Sequence, residues 1–96
     1  MSASHRLLLA LASAVAALPA AAAMPPPGAA GCSGCHAAHV ATAIPKLVGR
    51  NPTELVAAMQ GFKNGSKPAT VMDRIAKGFS DEEIKAIADW YGAQRE

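Results

Sequence analysis

The chain has 96 residues and a formal charge of +2, from 9 Lys and Arg against 7 Asp and Glu. That length suits a single domain, and the near balance of charge gives no sign of the basic face that nucleic-acid binding needs. With 1 Trp, 1 Tyr and 2 Phe, the chain has few large groups from which to build a core, and a domain this small ordinarily needs a staple.

The first segment is built for export. His5 and Arg6 are followed by an apolar run from Leu7 to Leu18, then Pro19 and the tract Ala20 to Ala23. This order of basic start, apolar stretch and small residues is that of a secretory signal peptide, predicted over residues 1–23 with cleavage between Ala21 and Pro25. The apolar run is shorter than the roughly 20 residues a membrane span requires. Residues 24–30, which begin Met-Pro-Pro-Pro-Gly, are predicted to be an extended, flexible start, and residues 31–96 form the domain proper. No strand pattern appears, so the fold class is all-α.

A short helix is predicted over Ala29 to Ala38, and it contains the most informative stretch of the chain, Cys32-Ser33-Gly34-Cys35-His36. Two thiols at i and i+3 lie on one face of a helical turn. From there each reaches one vinyl group of a haem, and the histidine that follows directs its imidazole at the iron. C-x-x-C-H is the pattern of covalent c-type haem attachment. A disulfide between Cys32 and Cys35 would close only a tiny loop and constrain the unfolded chain little. A thioredoxin-like redox pair requires a βαβ context, which the sequence lacks. Zinc held by Cys32, Cys35, His36 and His39 would need adjacent side chains to turn to one tetrahedral ion.

Beyond the motif, Pro45 interrupts the stretch Ile44-Pro45-Lys46-Leu47-Val48-Gly49, which reads as a loop against the haem edge. There the Pro45 carbonyl is a candidate acceptor for the second ring nitrogen of His36, a bond that would fix the tautomer and raise basicity toward iron. Asn51 and Pro52 open a helix as N-cap and first residue, with Glu54 at capping-box spacing. Leu55, Ala58, Met59 and Phe62 form its apolar face, and it should end near Asn64-Gly65. After a break at Lys67-Pro68, a loop runs into a short helix that stops at Gly78. Met72 there is the candidate sixth iron ligand, since a thioether favours reduced iron relative to a second imidazole. Met59 reads as a packing residue. Ser80 with Glu83 is a capping box, and Ile84, Ile87, Ala88 and Tyr91 form the stripe of a last helix expected to pack on the glycine-rich turn around Gly31. His39 comes from the same side of the haem as His36 and reads as a surface or propionate-contacting histidine. Lys46, Arg50, Lys63, Lys67 and Lys77 are candidates to ring the haem opening.

These stretches together resemble a small class I cytochrome c of the c4 and c553 type. Gly61-Phe62-Lys63-Asn64-Gly65, followed by Met72 to Ser80 as M-D-R-I-A-K-G-F-S, is similar to the haem subunit of flavocytochrome c sulfide dehydrogenase. The resemblance covers about Gly31 to Gln94. It implies three to four helices around one haem, thioethers at Cys32 and Cys35, His36 as proximal and Met72 as distal iron ligand. It also implies a periplasmic setting in a Gram-negative bacterium and a flavoprotein (FAD) partner that oxidises sulfide and passes electrons to the haem. The segment ahead of Cys32 is shorter than the family's usual first helix, and Ala37 stands where many relatives have Gly. The chain has one haem motif where some relatives have two. The expected function is therefore single-electron transfer by a carrier that is not itself a catalyst. It is either the accepting subunit of a sulfide-oxidising enzyme or a free shuttle to a terminal oxidase or reductase. A five-coordinate sensing haem would require Met72 to be off the iron.

Overall fold

The computed structural model describes residues 12–15, 24–38 and 43–95. Most of the expected signal peptide, and His39, lie outside the described residues. Four helices occur among them, and no strand: α1, Ala29–Cys32; α2, Pro52–Asn64; α3, Met72–Ala76; and α4, Asp81–Ala93. The middle helix α2 packs on both α3 and α4, and α4 reaches back to α1.

Local chemistry sets the ends of the two long helices. Asn51 accepts the Thr53 amide at 2.8 Å with Pro52 in the first turn, so the α2 cap falls on the second helical amide rather than forming the reciprocal box that Glu54 suggests. Gly65, at φ 82°, terminates α2 in the left-handed region, where glycine avoids the steric cost of a side chain. At α4 the box is complete. The Glu83 amide donates to Ser80 Oγ at 3.1 Å, and the Ser80 amide donates to Glu83 Oε1 at 2.9 Å. These bonds occupy two of the four amides that a helix start leaves unpaired, and Asp81, Glu82 and Glu83 place negative charge at the positive end of the dipole.

The core is small and is centred on α4. Ile84, Ile87, Ala88 and Tyr91 are all buried, as their spacing predicts. Ile87, Ala88 and Tyr91 form one buried cluster with Leu55 from α2 and Ala29 from α1, and Cys32, Leu47, Val48, Val56, Phe79 and Trp90 pack around it. The α2 stripe is less buried than its pattern suggests. Leu55 and Gly61 are enclosed, whereas Ala58, Met59 and Phe62 are half-buried.

One expectation changes. The predicted helix over Ala29 to Ala38 stops at Cys32, and the chain continues as turns through His36. Ser33 and Gly34 are poor helix formers, and the amides of Gly34 and Cys35 return only three residues, to the Gly31 and Cys32 carbonyls, each at 3.2 Å, the tighter spacing that often ends an α-helix. As expected, α4 packs on the segment around Gly31, with Tyr91 and Ala29 in one buried cluster and Cys32 against it. The tightest approach to α4 is at Gly92, where a Cβ would stand 2.5 Å from Pro52 Cγ and 2.9 Å from the Arg50 carbonyl oxygen.

Candidate haem site

The turn after α1 gathers four of the residues singled out by the sequence. Cys32 is half-buried at the end of α1, and its thiol donates weakly to the Gly28 carbonyl at 3.7 Å. Burial pushes the Cys32 thiol above its ordinary pKa, which keeps it protonated. Cys35 is exposed, and neither cysteine is in a disulfide. His36 follows on the same turn, half-buried, and its Nδ1 lies 2.5 Å from the Pro45 carbonyl oxygen. A carbonyl only accepts, so Nδ1 carries the proton. The lone pair is therefore on Nε2, the nitrogen left to bind a metal.

The position of this turn is fixed from below by α4. Tyr91 is buried, and its hydroxyl donates to the Ala29 carbonyl at 2.5 Å. Its single proton is used there, so Ser33 Oγ, at 2.9 Å, is the donor to Tyr91 Oη. The Gly49 amide donates to the Tyr91 carbonyl at 3.0 Å. Tyr91 thus joins the cysteine turn, through its hydroxyl, to the loop that follows Pro45, through its backbone. Burial raises the pKa of the hydroxyl, with the Ser33 bond opposing the shift. The sequence pattern marked Tyr91 only as part of an apolar stripe. The signal that points further is its residue type, because a buried tyrosine hydroxyl needs a partner.

Met72 is on a separate element. It is the first residue of α3, half-buried, and follows Val71 at the N-cap. Val71 and Ile75 are exposed to 52% and 42%, and Ile44, beside Pro45, to 43%. Large apolar side chains thus stand open in both segments that carry candidate haem contacts. The donor set is two thiols on one turn, an imidazole with Nε2 available and a thioether. These residues fit a haem: soft sulfur and imidazole ligands suit its iron, and the exposed apolar side chains suit its hydrocarbon body. Among the described residues, no group of three or more His, Cys, Asp and Glu side chains gathers as a metal site.

The all-helical body and this turn define a small c-type cytochrome, and comparison with known proteins agrees. The chain is 43% identical over 63 residues to the cytochrome subunit of sulfide dehydrogenase from Chlorobaculum tepidum, a match covering 64% of this chain and 57% of that protein. It is 32% identical over 69 residues to cytochrome c-554(548) from Halomonas halodenitrificans, covering 66% of this chain and 83% of that protein. The chain therefore spans little more than half the length of the first relative and most of the second. No protein-family model matches it. The chain belongs to the class I c-type cytochromes, and its function is that of a haem-bearing electron carrier.

Proposed function

We propose that the chain is a periplasmic monohaem cytochrome c that accepts electrons from a flavoprotein sulfide dehydrogenase. In this reading residues 1–23 are a signal peptide, 24–30 a flexible lead and 31–96 the cytochrome domain. Cys32 and Cys35 hold one haem by two thioether bonds. His36, through Nε2, and Met72, through its thioether, would hold the iron. The observation that carries the site is the 2.5 Å contact between His36 Nδ1 and the Pro45 carbonyl. It orients the imidazole, fixes its tautomer and makes Nε2 a stronger donor.

Bound there, the haem supplies a one-electron Fe(III)/Fe(II) couple. The chain's own residues set its properties. His36 and Met72 would hold its iron, which would leave the haem to pass electrons rather than to take a substrate. The Met72 thioether favours the reduced state. Tyr91 and Ser33 hold the cysteine turn in place, so electron gain or loss needs little rearrangement of the site. No helix among the described residues is long and apolar enough to cross a membrane.

The sulfide dehydrogenase assignment rests on the 43% identity to a protein of that name. A free shuttle is the second reading, supported by the fuller coverage of cytochrome c-554(548). Purification of the native protein, with a test for a co-purifying flavin-containing polypeptide and for sulfide-driven haem reduction, separates them. A stable flavoprotein complex with rapid reduction is expected. A lone red protein reduced only by other carriers would leave the shuttle.

A further inference from the structure

The segment between α3 and α4 is gripped from the end of α2. Lys63, whose side chain is only 25% exposed, donates from Nζ to the Phe79 carbonyl at 2.8 Å. Its charge is met by Asp81 Oδ1 at 3.5 Å, and the same oxygen accepts the Gln60 amide at 2.7 Å. Gln60 and Lys63 are three residues apart on α2 and so share a face. The Phe79 amide is meanwhile tied to the Ala76 carbonyl at 3.2 Å. The Phe79 ring fills the space beside Gly28, where a Cβ would fall 2.5 Å from ring atom Cε1. Gly28 is at φ 86°, a backbone that favours glycine, and it is the N-cap of α1. Phe79 therefore touches the start of the cysteine-bearing segment, while its own backbone closes the Met72-bearing one.

We propose that Lys63, acting through the Phe79 carbonyl, is a positioning residue for Met72: it locks the α3 segment against α2 and so keeps the thioether on the iron. The proposal rests on the reading of Met72 as the distal ligand. The balance of forces supports it. A methionine–iron(III) bond is readily displaced by stronger donors, so its persistence depends on the chain that delivers the sulfur. α3 has only five residues, too few to be stable alone, and must take its position from its contacts. A hydrogen bond from a charged donor to a half-buried carbonyl is among the stronger single contacts available to it.

The test uses the ferric holoprotein and the Lys63→Met variant, which keeps the apolar stem and removes the donor. The expected result is weakening of the methionine-to-iron charge-transfer band, a lower reduction potential, and imidazole binding tighter by about fivefold to tenfold, the range expected for losing part of one charged hydrogen bond. Lys63→Arg should restore all three. Lys85→Met, which removes the exposed Lys85–Asp89 pair on α4, should change none of them. If Lys63→Met does not accumulate as holoprotein, Lys63→Gln carries the same expectation, because its shorter side chain does not reach the carbonyl. A wild-type band with unchanged band, potential and imidazole affinity in the Lys63 variant overturns the positioning role and leaves Met72 as ligand. A wild-type protein without the band, unaffected by Met72→Ala, overturns the ligand reading instead.

Discussion

Removing one oxygen atom from Tyr91 tests how the cysteine turn is held. Tyr91→Phe keeps the buried ring and deletes both the bond to the Ala29 carbonyl and the one from Ser33. A neutral hydrogen bond contributes about 0.5–1.5 kcal/mol net. The Ala29 bond, between fully buried partners, belongs at the upper end. Ser33 is exposed and turns to water, so its bond belongs at the lower end. The sum is about 1–2 kcal/mol, which for a domain of this size lowers the unfolding midpoint by about 5–15 °C. Thermal unfolding of the holoprotein followed by circular dichroism reads this directly. The same variant has a pH signature. Burial raises the Tyr91 hydroxyl pKa in the folded state, so its contribution is intact below the ordinary tyrosine value of about 10 and is lost as pH rises from there through the folded value. Wild type should lose stability over that alkaline range more steeply than the phenylalanine variant. A midpoint within about 2 °C of wild type, with the same alkaline slope, would refute the idea that this hydroxyl anchors the turn.

Further outcomes follow from other contacts. Gly92→Ala should cost about 1–3 kcal/mol by driving a methyl into Pro52 and the Arg50 carbonyl, read by chemical denaturation; wild-type stability would mean that the crossing of α4 yields easily. Cys35→Ser should leave haem attached by one bond and lower holoprotein stability, seen by mass spectrometry and thermal melts; unchanged attachment would defeat the motif assignment. Met72→Ala should open the iron to added ligands and lower the reduction potential, and an unchanged spectrum would remove Met72 from the iron. At the acid end, hydrogen bonds from Gln60 to Asp81 and from the Ser80 amide to Glu83 hold both carboxyls below their ordinary range. Their contribution is present above about pH 4 and lost as pH falls through the folded values. Asp81→Asn with Glu83→Gln should therefore flatten the acid limb of the stability profile.

How much the sequence disclosed varies with the range of the interaction. The start of α4 was legible because Ser80 and Glu83 lie three residues apart, and its buried stripe because Ile84, Ile87, Ala88 and Tyr91 keep one helical period. The end of α2 was legible for the same reason, since Gly65 follows the last helical residue. What escaped depends on residues far apart in the chain. The bonds from Lys63 to Phe79 and from Tyr91 to Ala29 and Ser33 join separate elements, and no local period announces them. Gly92 shows the same limit from the other side. A glycine in a helix signals a close approach, but only the fold shows that Pro52 is what approaches. The shortness of α1 came from a competition the pattern understated, in which the three-residue turn bonds from Gly34 to Gly31 and from Cys35 to Cys32 replace helix continuation through Ser33 and Gly34. The geometry at His36 and Pro45 joins residues nine apart across a proline-broken loop, a spacing that the residue types suggest and only the folded chain supplies.

The proposed function turns on one haem bonded through Cys32 and Cys35. Intact mass spectrometry of the purified, denatured protein, before and after acidified-solvent extraction, tests it most directly. The expected mass is that of the processed polypeptide plus one haem, unchanged by extraction. A bare polypeptide mass, or haem that leaves with the solvent, would contradict it.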